Sequence, residues 1–145
     1  MIQFLKLLFH ISVLFLIIVS LYPGSLIGFL LYGDLGQQPD LINNPLGTTI
    51  NHFISYFYVS LLGFFLYLRE KNFQKFVYGL FFLSIILEGL QFIIPNRSLQ
   101  LGDLISNILG VLVAYSVVKI YLFLNKPWIN LTKEKRASKK SFKWT

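Results

Sequence analysis

Seven side chains have the types and spacing to do chemistry together: His52, Tyr56, Glu88, Gln91, Arg97, Asp103 and Asn107. A carboxyl group beside an imidazole can pass a proton in either direction. Glu88 and His52 are therefore candidates for a general acid and base, with Asp103 orienting the ring. Burial and opposite charge pull a carboxyl pKa in opposite directions, so the titration of Glu88 depends on what surrounds it. Arg97 carries a planar fork suited to a phosphate or carboxylate, while Gln91, Asn107 and Tyr56 supply neutral binding groups. Helical spacing groups them: Asp103, Asn107, Gly110 and Ala114 stand at i, i+4, i+7 and i+11 and share one face. Ser84, Glu88 and Gln91 share another, and His52, Ser55 or Tyr56, Val59 and Gly63 a third.

The elements that must position these groups are apolar. Of 145 residues 55% are hydrophobic and only 13% charged, against about 25% charged in a soluble domain. The composition predicts an all-α, polytopic membrane protein of four transmembrane helices. A single domain over residues 1–125 has spans at about 7–31, 52–68, 76–94 and 104–124, and residues 126–145 form a basic tail. Seventeen residues, the length of the second run, is near the lower limit for a spanning helix. Pro23-Gly24 predicts a kink in the first span. The start resembles a secretory signal peptide but lacks a small-residue cleavage site, so it reads as an uncleaved span. Gly33 to Thr49 is rich in turn residues and is a connecting loop or a lid over the site.

Lys and Arg are distributed unevenly. The first loop has none, the Arg69–Lys75 turn has three, the corner after Ile94 has only Arg97, and the last 20 residues hold seven of the 13. The positive-inside rule then places both termini in the cytoplasm, with the first loop and the Pro95 corner facing outward. Glu88 and Gln91 lie about 10 and 6 Å below that corner at 1.5 Å per residue. His52, Asp103 and Asn107 enter from the same side, so all of them fall at one depth in the outer leaflet.

Two accounts of this cluster compete. An interhelical polar network would fasten the bundle, but such bonds average about 0.6 kcal/mol in a measured case. A charge placed in hydrocarbon costs about 2.5–3.5 kcal/mol on insertion scales, which favours a functional pocket. No tight ligand spacing supports a metal, no glycine-rich phosphate loop or nucleophilic serine motif is present, and no cofactor is expected. The absence of cysteine excludes disulfides and a thiol nucleophile. The net charge of +7 sits largely in the tail, so nucleic acid is not an expected partner. The expected partners are the lipid bilayer and a lipid-linked envelope ligand. Lys133 to Lys143 either bind anionic lipid or only fix the orientation, and Trp128 suits the interface. His10 is an interfacial histidine.

The order His52-Phe53-x-x-Tyr56-Phe57, Glu88-x-x-Gln91, Arg97-x5-Asp103-x3-Asn107-x2-Gly110 resembles the VanZ-like membrane proteins over about residues 51–124. The chain departs from their pattern at Thr48-Thr49, where an Asp-Lys pair is common. The resemblance implies a bacterial plasma-membrane protein of the cell envelope, related in purpose to proteins giving low-level teicoplanin resistance. It implies no particular reaction. The expected function is therefore an effect on glycopeptide susceptibility through the polar pocket. The alternatives are a membrane-embedded enzyme that modifies an envelope lipid or glycan, and a structural subunit of a membrane complex.

Overall fold

A computed structural model describes residues 2–39 and 47–125 of the chain. The basic tail, with Trp128 and Lys133 to Lys143, and the Asn43-Asn44-Pro45 part of the first loop lie outside the described residues. The described residues form five helices: α1 (Ile2–Leu21), α2 (Leu26–Tyr32), α3 (Thr49–Tyr67), α4 (Phe73–Gln91) and α5 (Leu101–Leu124). Four of them, α1, α3, α4 and α5, are long and apolar enough to cross a membrane. Uninterrupted helix is what an apolar solvent demands, since every backbone N–H and C=O must find its partner within the segment.

The first apolar run does not continue to residue 31 as one kinked span. It ends at Leu21 and turns through Tyr22–Ser25 into a separate short helix. Pro23 has no N–H to donate, and Gly24 adopts φ +77°, a left-handed conformation that glycine takes without steric cost. The N–H of Ser25 goes to the carbonyl of Leu35 at 2.7 Å instead of back along α1. Its hydroxyl accepts from the Gly28 N–H at 2.9 Å and so caps α2. Gly33, at φ +72°, closes α2 through its N–H to Phe29 O. The chain then doubles back so tightly that a Cβ on Gly28 would collide with the carbonyl of Gln37.

The four long helices alternate in direction. At one end the Lys6 ammonium lies 5.5 Å over the Tyr67 ring, and Phe9 packs on Tyr67 and Phe76. The start of α1, the end of α3 and the start of α4 therefore meet there. At the other end Arg97, in the corner between α4 and α5, reaches the last turn of α1. We call these the turn end and the corner end.

The interior is divided by chemistry. Toward the turn end it is aromatic: Phe64, fully buried, lies edge-on to Phe73, Phe76 and Tyr115. Toward the corner end it is polar, with Glu88, Gln91, Asp103 and Asn107 all buried. The stripe Asp103, Asn107, Gly110, Ala114 is the buried face of α5, and its small residues bring the helix against α3. A Cβ on Gly110 would stand 2.7 Å from Phe53 O and 2.9 Å from Phe57 N, so main chain meets main chain at this crossing.

Candidate functional site

Glu88 projects from the inward stripe of α4, which it shares with Ser84 and Gln91, and is 1% exposed. Its Oε2 accepts from Asn107 Nδ2 at 3.2 Å. Its Oε1 accepts from the backbone N–H of Gln100, the residue that opens α5, at 3.3 Å. Asp103 lies in the first turn of the same helix. Two carboxylates thus gather at the amino end of α5, where the aligned peptide dipoles favour negative charge.

His52, in the first turn of α3, places Nε2 3.4 Å from Asp103 Oδ2. The other side of the corner carries the opposite charge. Asn96 takes φ +60°, which asparagine tolerates better than most residues, and the turn presents Arg97 to α1. Arg97 Nη2 donates to Val19 O at 2.8 Å and Nε to Tyr22 O at 3.3 Å. The last turn of α1 contains no basic residue of its own, so the guanidinium satisfies carbonyls that the helix leaves open. Burial lowers the pKa of Arg97, while the charges of Glu88 and Asp103 pull it back up.

Tyr56 is buried on α3, its hydroxyl near the Ser20 side chain without a well-formed hydrogen bond. Gln91 is buried one turn from Glu88, and no hydrogen bond joins it to the other six among the described residues. Four buried polar atoms have no hydrogen-bond partner among the described residues: Tyr56 Oη, Ser60 Oγ, Asp103 Oδ1 and Asn107 Oδ1. All belong to the two helices that pack most closely. Each such atom costs about 1–3 kcal/mol when left unmatched.

A cavity of about 420 Å³ lies between α1, α3 and the folded-back segment that holds α2. Of the seven residues singled out by spacing, His52, Tyr56 and Arg97 line it, and Glu88, Gln91, Asp103 and Asn107 do not. The arrangement has two layers: an imidazole and a guanidinium at the cavity wall, and the carboxylates behind them. With both oxygens engaged, Glu88 contributes to the helix-end architecture, whereas the His52 imidazole lines the cavity. Among the described residues, no three His, Asp or Glu side chains converge closely enough to hold a metal ion. Sequence reasoning missed the main-chain partners of this site: the Val19 and Tyr22 carbonyls at Arg97 and the Gln100 N–H at Glu88. A helix without a basic last turn was the one available signal.

Four membrane-length apolar helices around a buried cluster of ionisable and amide side chains define a multi-pass membrane protein with a polar site at one end of the bundle. The sequence profile of the VanZ/LLP1 family matches residues 7–124. The match runs from within α1 to the end of α5, and the chain belongs to that family. Neither the curated proteins nor the solved structures yield a match to it.

Proposed function

We propose that this VanZ-like protein works in the bacterial plasma membrane with both termini in the cytoplasm. There it binds a lipid-linked envelope ligand or a partner at the corner end and so lowers susceptibility to teicoplanin-type glycopeptides. The observation that carries the reading is the His52–Asp103 contact at 3.4 Å in the wall of a cavity that Arg97 also lines. Inside a bundle of membrane-length helices, an ionisable pair next to open space is what a binding site requires. His52, Tyr56 and Arg97 contact the ligand, Asp103 orients His52, and Glu88, Asn107 and Gln91 form the buried polar layer behind them.

The test is complementation of a deletion strain with His52→Gln and Glu88→Gln at matched membrane levels. Both variants are expected to lose the glycopeptide protection that the unsubstituted chain restores. Full protection by both would overturn the reading.

A second reading is favoured by the order cavity, imidazole, carboxylate, which is the arrangement of a general base with its orienting group. On that reading the protein modifies an envelope lipid or glycan, with His52 moving the proton and Asp103 and Glu88 fixing the charge around it. Lipid and peptidoglycan profiles decide between the two. An enzyme leaves a species that accumulates on deletion and is cleared by the unsubstituted chain but not by His52→Gln.

A further inference from the structure

The cavity has a shape and a polarity gradient that the site chemistry alone does not explain. On α1 its wall runs from Ile11 to Ser20, about 13 Å along the helix at 1.5 Å per residue. On α3 it runs from Asn51 to Val59, about 12 Å. Away from the corner end the wall is mainly apolar, built from Ile11, Phe15, Leu16 and Val59 with the small Ser12 among them. Near the corner end it carries His52, Arg97 and Gln38.

Two further features fix how it communicates with its surroundings. Ile11, Phe15 and Tyr58 line the cavity and are also exposed on the outer surface of the bundle, at 54%, 54% and 47%. The furrow therefore opens sideways, between α1 and α3, toward the lipid-facing surface. Its corner end is roofed: Ser25, Ile27, Gln38 and Pro39 form part of the lining, and Asn51 Nδ2 holds the Pro39 carbonyl at 2.8 Å. A ligand dissolved in water meets the roof, whereas one dissolved in the bilayer meets the opening.

Charge selects the head of that ligand. Among the described lining residues the basic groups are the Arg97 guanidinium and the His52 imidazole, and no carboxylate is present. Arg97 keeps three guanidinium N–H groups beyond the two it gives to Val19 and Tyr22, and a guanidinium makes charge-assisted bonds to phosphate oxygens. Resting on the ligand-binding reading above and naming its ligand class, we infer that the furrow takes a bilayer lipid with a phosphate monoester head. One apolar chain lies between α1 and α3, and the phosphate sits against Arg97 and His52 beneath the roof.

The experiment uses the full chain purified in detergent, with 1-oleoyl lysophosphatidic acid as probe. Mono-oleoylglycerol serves as the neutral control of the same chain, and inorganic phosphate as the head without a chain. Native mass spectrometry and thermal unfolding read out binding. The expected result is one bound lysophosphatidic acid per chain, at least about tenfold tighter than mono-oleoylglycerol, with no protection by inorganic phosphate. Ser12→Phe, which fills the apolar part of the furrow away from the polar cluster, is expected to weaken the anionic lipid by at least about tenfold. Because Arg97 also holds α1, the head contact is tested at His52→Gln, which is expected to narrow the preference over the neutral lipid.

Equal binding of the charged and neutral lipids overturns the inference, as does unchanged binding by Ser12→Phe or protection by phosphate alone. If any of these is found while Glu88→Gln and His52→Gln still abolish drug protection, the ligand class is wrong and the functional reading survives. Selective binding of the anionic lipid with protection intact in both variants leaves the furrow a lipid site and removes the functional reading.

Discussion

Arg97 holds the carbonyl of Val19 at 2.8 Å across 78 residues of chain. This one contact joins the α4–α5 corner to the end of α1 and sets one edge of the cavity. Hydrogen bonds to a charged group contribute about 1.5–3 kcal/mol, and Arg97 makes two, to Val19 and Tyr22. Arg97→Met is therefore expected to destabilise the folded protein by about 2–4 kcal/mol. Arg97→Lys should recover less than half of that, because an ammonium lacks the fork that spans both carbonyls. Thermal unfolding in detergent checks the order arginine, lysine, methionine; equal stability of the last two would show that the fork does not matter.

Glu88 offers a separation of charge from shape. In Glu88→Gln the remaining carbonyl oxygen still accepts from Gln100 N–H. The new amide finds an acceptor once Asn107 flips, because Asn107 Oδ1 now has no partner. The expected loss of stability is under about 1 kcal/mol. Glu88→Ala leaves a void, strands the buried Asn107 amide and removes the acceptor of the part-buried Gln100 N–H, and is expected to cost about 3 kcal/mol. Membrane levels and unfolding temperatures of the two variants check this, and a Glu88→Gln protein as unstable as Glu88→Ala would contradict the flip.

These contacts show which parts of the site were legible in the sequence. Four apolar runs in alternation put His52, Glu88, Asp103 and Asn107 at one end of a bundle before any side-chain geometry was known. The i, i+4, i+7, i+11 stripe likewise marked the face of α5 that packs on α3. The interruption at Tyr22–Ser25 was weaker in the sequence, because apolar residues resume at once in α2. The Ser25–Leu35 hydrogen bond and the approach of the Gln37 carbonyl to Gly28 show that the chain reverses rather than bends. The roofed furrow was not legible at all, since it depends on that reversal. The role of Arg97 was hidden for another reason: its acceptors are backbone carbonyls, which every residue type carries.

The His52–Asp103 distance of 3.4 Å is long for a strong charge-assisted bond. A double-mutant cycle with His52→Ala and Asp103→Ala is therefore expected to return a modest coupling of about 0.5–1 kcal/mol, in the range measured between membrane helices. Unfolding free energies of the four proteins in one detergent supply the numbers. A coupling indistinguishable from zero would mean that the two groups are neighbours without being partners.

Glycine positions on α5 and α4 give a packing prediction with internal controls. A methyl group on Gly110 meets Phe53 O at 2.7 Å and Phe57 N at 2.9 Å, both main-chain atoms of α3 that cannot rotate away. Gly110→Ala is expected to push α3 and α5 apart and cost about 1–3 kcal/mol. Gly79 has no atom within 4 Å of such a methyl group, so Gly79→Ala should be neutral or stabilising by up to about 1 kcal/mol from helix propensity. Equal stability of the two variants would show that the α3–α5 crossing is looser than the geometry requires.

The proposed orientation is open to a clean chemical test because the chain has no cysteine. Asn72 marks the turn end and Ser98 the corner end, and both are exposed. Basic residues cluster around the first position and in the tail, while the corner has Arg97 alone, itself engaged with α1. The positive-inside rule therefore puts Ser98 outside. A membrane-impermeant maleimide is expected to label Ser98→Cys in intact cells and Asn72→Cys only after permeabilisation. The reverse pattern would place the His52–Asp103 pair beneath the cytoplasmic surface, where it faces no extracellular drug, and the envelope reading would have to be abandoned while the bundle itself stood unchanged.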